Sequence, residues 1–393
     1  MTTLYLDRKG AALDVDAGSL TVRLGGAVAT RVPLIPLERV VLRGDVVLST
    51  RVLAELWRRD VGLLLLSGRH SEPTARLVGR PHDDVALRLA QYRRATDTEA
   101  CRATAREIVG AKLAAEARLL ARALELRPDR RKPLIDAIEI LEKLQARIAD
   151  AKERLDRDTL TGLEGAGAAA HFRAYSTLFP ESLEFARRRR RPPPDPINVC
   201  LSLGYTLLHH EAVREVQVVG LDPLLGFLHA PERGRESLAC DLVEPLRSYV
   251  DEWVWRSFAE RLLRREHFSR EKGRACLMGK AGRQIFYVGF EQLAAGLRRL
   301  LRRMARSLAA DLRRPADAAC PRCGRSTSIT APLRCGSKGR RSSSNSRIAP
   351  TSGFHCGCSR AWSCAARCRG RWTRSSPALR AACRSPFCRS TAR

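Results

Sequence analysis

Gly220–Arg247 reads GLDPLLGFLHAPERGRESLACDLVEPLR, and the fold assignment rests on how its turns and helix divide. Asp222-Pro223 and Gly226 break regular structure ahead of a single histidine, His229, and Pro231 and Gly234 follow it. The spacing predicts a loop, then a helix starting near Ser237, with Ser237 or Glu236 capping its free N–H groups. Asp241 and Glu244 stand three residues apart on that helix, so both carboxylates share a face. An imidazole and two carboxylates at a helix start suit a divalent ion that prefers oxygen with some nitrogen, such as Mg²⁺ or Mn²⁺. A helix with acids near its start is also ordinary, because the macrodipole favours them there, and a lone loop histidine is commonly a surface residue.

Working outward, the 393 residues suffice for two or three domains with a sizeable core. No apolar run is long enough for a membrane span, and the N-terminus MTTLYLDRKG lacks the apolar core of a signal peptide, so the cytoplasm is expected. The net charge of +29 points to a polyanionic partner, most simply nucleic acid. From Cys320 onward the chain holds sixteen of the 71 Lys and Arg and none of the 42 acids, so +13 belongs to residues 1–319. Before that tail only Cys101, Cys200, Cys240 and Cys276 occur, without a pairing pattern, which fits a reducing compartment.

Residues 1–80 read as β-rich. Leu4 to Leu6, Ala12 to Val15, Leu20 to Leu24, Val28 to Pro33, Leu37 to Leu42 and Gly62 to Leu66 are short apolar runs between glycines. One helix interrupts them, Thr50 to Arg59, capped by Ser49 and striped by Val52, Leu53, Leu56 and Trp57. Leu63 to Leu66 is apolar on both faces, which predicts a central strand or a dimer seam.

From Asp83 the apolar period becomes helical. Helices are expected through Val85 to Tyr92, Ala103 to Leu126 and Pro133 to Asp156. Leu160 to Phe179 holds Glu164 among the small residues Gly162, Gly165, Ala166 and Gly167, with His171 two turns on. Glu164 is either a ligand or partner of a cation, or a solvated acid near a helix start. Arg187, Arg188, Arg189, Arg190 and Arg191 precede three prolines, so this segment is an extended basic loop, either contacting phosphates or serving as a solvated linker. Pro196 opens the next helix, with Tyr205 beside its apolar stripe. Gln284 to Phe290 is followed by a basic amphipathic helix, Leu293 to Leu312. The architecture expected is α+β: a β-rich domain over 1–80, a larger all-α catalytic domain over 81–315, and a disordered basic tail over 316–393.

Three separated blocks carry a resemblance: Gly162-Leu163-Glu164-Gly165 with His171-Phe172, the run from Arg191 through PPPDPINVCLSLGY to Tyr205, and the opening stretch with GLDP, GFLH and CDLVEPLR. Together they resemble the CRISPR-associated spacer-acquisition integrase family (Cas-one), over about residues 3 to 315. The family usually has Tyr-Phe where His171-Phe172 stands. The resemblance implies that Glu164, His229 and Glu244 are metal ligands for Mg²⁺ or Mn²⁺, with Asp241 the acidic residue supporting them. It implies integration of short DNA fragments by attack of a 3′-hydroxyl on a phosphodiester of a CRISPR repeat. It also implies double-stranded DNA, a homodimer formed through the β-rich domain, and a small ferredoxin-like partner (Cas-two). Arg233, Arg235 and Arg247 flank the site as candidates for the DNA backbone, and Arg247 is equally an ion-pair partner for Glu244. A hydrolytic metal-dependent nuclease and a non-catalytic DNA-binding scaffold of the same family are the alternatives.

The tail from Cys320 has no acid and no apolar periodicity, so it is expected to be disordered. Cys320-x-x-Cys323, His355, Cys356 and Cys358 offer zinc ligands, but the remaining cysteines follow no repeated spacing. Its composition is that of GC-rich codons read in a foreign frame, which points to a frameshift or read-through product.

Overall fold

In a computed structural model the described residues are 2–67, 72–77, 82–150, 154–190, 192–270 and 275–314. The expectations for Arg191 and for the tail lie outside them.

The strands come first, and six of the eight fall on the short apolar runs read from the sequence. They are β1 (Thr2–Asp7), β2 (Ala11–Asp16), β3 (Ser19–Leu24), β4 (Ala27–Pro33), β5 (Leu37–Arg43) and β6 (Val46–Leu48), then helix α1 (Thr50–Arg58), then β7 (Gly62–Ser67) and β8 (Glu72–Leu77). They build two four-stranded sheets, ordered β1-β5-β7-β8 and β4-β3-β2-β6. In the first sheet β1, β5 and β7 run parallel and β8 antiparallel. Parallel strands need cover on both faces, and this sheet has it. Val40, Leu42 and Leu63 join Leu4, Leu13, Leu20 and Val22 in a core against the second sheet, while Val41, Leu64 and Leu66 face the helices. The two-sided apolarity of Leu63 to Leu66 is therefore that of a central strand and is satisfied within one chain. Ser49 caps α1 as expected, its side chain accepting from the Val52 N–H at 3.4 Å. The stripe of α1 is narrower than predicted: Val52 and Leu56 are buried, but Leu53 and Trp57 are exposed. A helix lying on one sheet covers only one row of its side chains.

The helices follow: α2 (Val85–Thr96), α3 (Thr98–Leu126), α4 (Arg131–Ala149), α5 (Arg157–Ser176), α6 (Pro196–Val219), α7 (Ser237–Val243), α8 (Arg247–Ala259) and α9 (Lys280–Leu312). Aspartates start four of them. Asp84, Asp97, Asp156 and Asp195 each accept the N–H three residues on, satisfying a donor the helix leaves free. Pro133 falls in the first turn of α4, which ends at Ala149, short of the predicted Asp156. A small antiparallel hairpin, β9 (Phe268–Arg270) and β10 (Cys276–Met278), interrupts the helical part. Its three-residue strands are too short to show alternation, so an all-α domain was expected instead. The last helix is continuous through Gly289, so Gln284 to Phe290 and Leu293 to Leu312, read separately in the sequence, are one element. The Trp253 indole of α8 covers that glycine, within 3.0 Å of where a Cβ would stand.

α9 closes the molecule by returning to β1. Glu291 accepts from Thr3 Oγ1 and Tyr5 Oη, each at 3.1 Å, and the Tyr5 and Tyr287 rings stack 4.7 Å apart. Buried charges at the junction are paired, as their desolvation demands. Arg298, 2% exposed, meets Glu211 at 2.8 Å, and Arg39 Nε lies 2.7 Å from the same carboxylate. Arg302 engages Glu215 at 2.8 Å.

Candidate metal and nucleic-acid site

The site forms where α3 and α5 meet the segment after α6. Two glycines fix the path of that segment. Gly220 ends α6 at φ +96°, with the His82 ring 2.7 Å from the place of a Cβ, so a side chain has neither the conformation nor the room. At Gly226 a Cβ would stand 2.7 Å from both Asp241 Oδ2 and the Ser237 carbonyl carbon.

Asp241 is the centre of the loop. Fully buried, it accepts the backbone N–H groups of Phe227 (2.6 Å), Leu228 (3.0 Å) and His229 (3.0 Å). Its Oδ1 also lies 2.7 Å from His229 Nδ1. A carboxylate only accepts, so Nδ1 carries a proton, and in the neutral imidazole Nε2 holds the lone pair. Nε2 faces Glu244 Oε1 at 3.9 Å. Neither predicted cap acts on α7. Ser237 Oγ donates to the Ala230 carbonyl at 3.1 Å, and the Glu236 carboxylate is taken by His209 Nε2 at 2.9 Å and by Arg76 of β8. The hydrogen bond from His209, with Arg76, outweighs burial and holds Glu236 down at about 2. The site loop is thereby tied to the N-terminal sheet.

Glu244 begins the single turn Glu244–Leu246 that joins α7 to α8. Its carboxylate, 3% exposed, meets Lys112 Nζ at 2.7 Å and Arg247 Nη1 at 3.0 Å. Burial alone would raise its pKa, but Arg247 and Lys112 outweigh burial and hold it at about 2. Lys112, in the middle of α3, also pairs with Glu164 of α5. Burial works against the ammonium, but Glu244, Glu116 and Glu164 push it up to about 12. Lys112 thus links Glu164 to Glu244, and His229, held by Asp241, faces Glu244.

The small residues around Glu164 divide in purpose. Gly167 lets α3 pack close, since a Cβ there would stand 2.2 Å from Leu113 Cδ2. Gly162 and Gly165 have no described atom within 4 Å of a Cβ, so the face beside Glu164 is open. His171 is not on that face. It is fully buried, with Nε2 3.2 Å from Asp251 Oδ2 on α8. Asp251 also takes hydrogen bonds from Tyr205 Oη at the side chain and Tyr175 Oη at its carbonyl. Glu116, one turn after Lys112, lies in this layer, and burial pushes it up to about 7 against the pull of His171 and Lys112. Lys112, Glu116 and Asp251 were not singled out from the sequence. The signal available was a Lys and a Glu four apart in a helix face otherwise carried by Ile108, Val109, Leu113, Leu119 and Leu120.

The basic loop is extended, as predicted, but its arginines are not alike. Arg187, Arg189 and Arg190 are exposed. Arg188 turns inward, donating to Asn198 Oδ1 (2.9 Å) and Ser202 Oγ (3.1 Å) and lying over the Tyr205 ring at 5.4 Å. Asn198 accepts the Arg189 N–H at 2.8 Å and donates to the Arg187 carbonyl at 2.9 Å, which fixes the loop to the start of α6. Arg247 lies over the same Tyr205 ring at 5.2 Å, so the loop begins beside the site. Arg247 takes the ion-pair alternative with Glu244, and Arg235 pairs with Glu232 at 2.6 Å, while Arg233 is exposed.

The donor set suits a hard divalent cation: two carboxylates and an imidazole nitrogen whose partner nitrogen is held by a third carboxylate. Among the described residues no three His, Cys, Asp or Glu side chains are drawn into a closed ligand cluster, because Lys112 stands between the glutamates. No helix among the described residues is long and apolar enough to cross a membrane.

Residues 4–292 match the family model described as CRISPR associated protein Cas1. A protein named CRISPR-associated endonuclease Cas1 1, from Thermodesulfovibrio yellowstonii, is 40% identical over 299 residues, covering 74% of this chain and 91% of its own length. CRISPR-associated endonuclease Cas1 3 from Thermus thermophilus is 34% identical over 254 residues, 64% of this chain and 70% of its own length. A solved Cas1 protein from Thermotoga maritima shares the fold with a TM-score of 0.69 at 21% identity, covering 79% of this chain and 97% of its own. A casposase bound to integration product shares it with a TM-score of 0.67 at 21% identity, covering 84% and 94%.

Proposed function

Since the chain belongs to the family of CRISPR associated protein Cas1, we propose that it is a metal-dependent DNA integrase that joins the 3′-hydroxyl of a short fragment to a phosphodiester of a CRISPR repeat. The reading is supported by Lys112 linking Glu164 to Glu244 and by His229 Nε2 facing Glu244 at 3.9 Å, with Asp241 holding the imidazole. Strand transfer needs a hydroxyl turned into a nucleophile and the charge on phosphorus neutralised. Mg²⁺ or Mn²⁺ held by Glu164, Glu244 and His229 would supply both. Asp241 keeps His229 in the tautomer that presents a lone pair. Arg247 neutralises Glu244 and borders the open face. The exposed Arg187, Arg189, Arg190 and Arg233 give affinity for the phosphate backbone, without base readout.

A homodimer formed through residues 1–80, a Cas2 partner and a cytoplasmic location complete the proposal. The Cas2 partner is supported by a structural neighbour that is itself a Cas6-RT-Cas1–Cas2 complex. Labelled duplex fragments with free or blocked 3′ ends, offered to the protein with Mn²⁺ and a repeat target, test the reaction. Joined product is expected only from free ends, and none from Glu164→Ala or His229→Ala, both of which keep DNA binding. Equal product from blocked ends would assign a hydrolytic nuclease instead, and full activity of both variants would remove these residues from the site.

A further inference from the structure

Glu244 has two cationic neighbours, Lys112 and Arg247, whereas the ion-pair partner of Glu164 among the described residues is Lys112. Lys112 is 4% exposed and reaches residues 52 and 132 positions away in the chain, so local helix chemistry does not explain its place. An ammonium and two carboxylates are tolerated inside only because they neutralise one another. The same ammonium occupies the space that a metal shared by these glutamates would need. One turn along the same helix stands Glu116, 5% exposed, whose Oε2 has no hydrogen-bond partner among the described residues. Residues four apart on a helix are neighbours, and the lysine stem has the rotamer freedom to reach it.

Resting on the metal reading above, we propose that Lys112 is the resident counter-ion of the Glu164–Glu244 pair: it holds the two carboxylates together without metal, and a divalent ion displaces it toward the unpaired oxygen of Glu116. Lys112 is then a positioning residue that sets metal affinity.

Mn²⁺ binding to the full chain, followed without DNA by the electron paramagnetic resonance of the free ion, tests the competition. Lys112→Met should bind Mn²⁺ at least about tenfold more tightly, since a competing unit charge is gone. Its metal-free melting temperature should fall by several degrees and be restored by Mn²⁺. Lys112→Arg, which keeps the charge, should stay near the parent in both readouts. Mn²⁺ binding by Lys112→Met that is unchanged or weaker would overturn the proposal. Should Lys112→Met not fold alone, the same change joined to Glu164→Gln and Glu244→Gln should recover folding, because no carboxylates are left to neutralise. Equal loss in both backgrounds would show that Lys112 does not hold them. A parent that binds no Mn²⁺ removable by Glu244→Gln would sink the metal reading and the displacement with it, and the thermal comparison alone would then decide the counter-ion role.

Discussion

Replacing Asp241 by Asn removes a single charge from a fully buried position and reverses the polarity of one atom. Oδ1 serves His229, taking its N–H at 3.0 Å and its Nδ1 at 2.7 Å. Oδ2 serves Phe227 at 2.6 Å and Leu228 at 3.0 Å. In Asp241→Asn one of these oxygens becomes an NH₂ that faces two donors. Two hydrogen bonds to a charged acceptor, each worth about 1.5–3 kcal/mol, are lost, and two buried N–H groups are left unpaired. The loss is ~3–6 kcal/mol, concentrated in the loop, because the oxygens bind adjacent stretches of one backbone. Hydrogen exchange reads it directly. Protection of the Phe227, Leu228 and His229 amides should fall at least a hundredfold, while amides in the middle of α3 stay near the parent. The imidazole loses its fixed orientation together with the loop, so integration should drop by about 10–100-fold, the usual cost of removing such a partner. Unchanged protection at these three amides would refute the claim that the loop is built on Asp241.

Two further outcomes follow from the geometry. Replacing Arg187, Arg189 and Arg190 by Ser should flatten the log–log salt dependence of duplex binding by about 0.9 per lost contact, whereas Arg188→Ser should lower the melting temperature with little change in slope; a slope change from Arg188→Ser as large as that from the other three would restore a uniform basic run. For Glu116, with a folded pKa near 7 above its ordinary 4.5, stability is fully present below pH 4.5 and lost as pH rises through 7, by ~3 kcal/mol; urea denaturation should therefore show Glu116→Gln gaining on the parent as pH rises from 5 to 8, and parallel pH profiles would contradict it.

The legible part of the site was the part written in one stretch. His229, Asp241 and Glu244 sit within a loop and helix whose glycines and prolines announce their turns, while the support of His229 by Asp241 came from the resemblance. Glu164 needed the resemblance, because a lone acid among small residues reads equally as solvated. Lys112 was not readable, since its partners are set by how α3, α5 and the turn at Glu244 pack, a long-range arrangement that spacing cannot encode. The arginine run shows the same limit. Composition makes all five alike, and only Asn198, Ser202 and Tyr205, folded beneath the loop, single out Arg188. In the fold, Leu63 to Leu66 announced an interior strand through apolarity on both faces, whereas the β9–β10 hairpin had too few residues to show a period.

The contact between β1 and α9 has a consequence for how the chain is made. Thr3 and Glu291 are 288 residues apart in the chain. At about 5–20 residues per second, a ribosome takes roughly 15 to 60 s to travel between them. Throughout that interval Thr3 waits for Glu291 and Tyr5 waits for Tyr287. Nascent chains stalled short of α9 therefore leave β1 without the helix that closes on it, and chaperone dependence during synthesis should track the interval before α9 emerges.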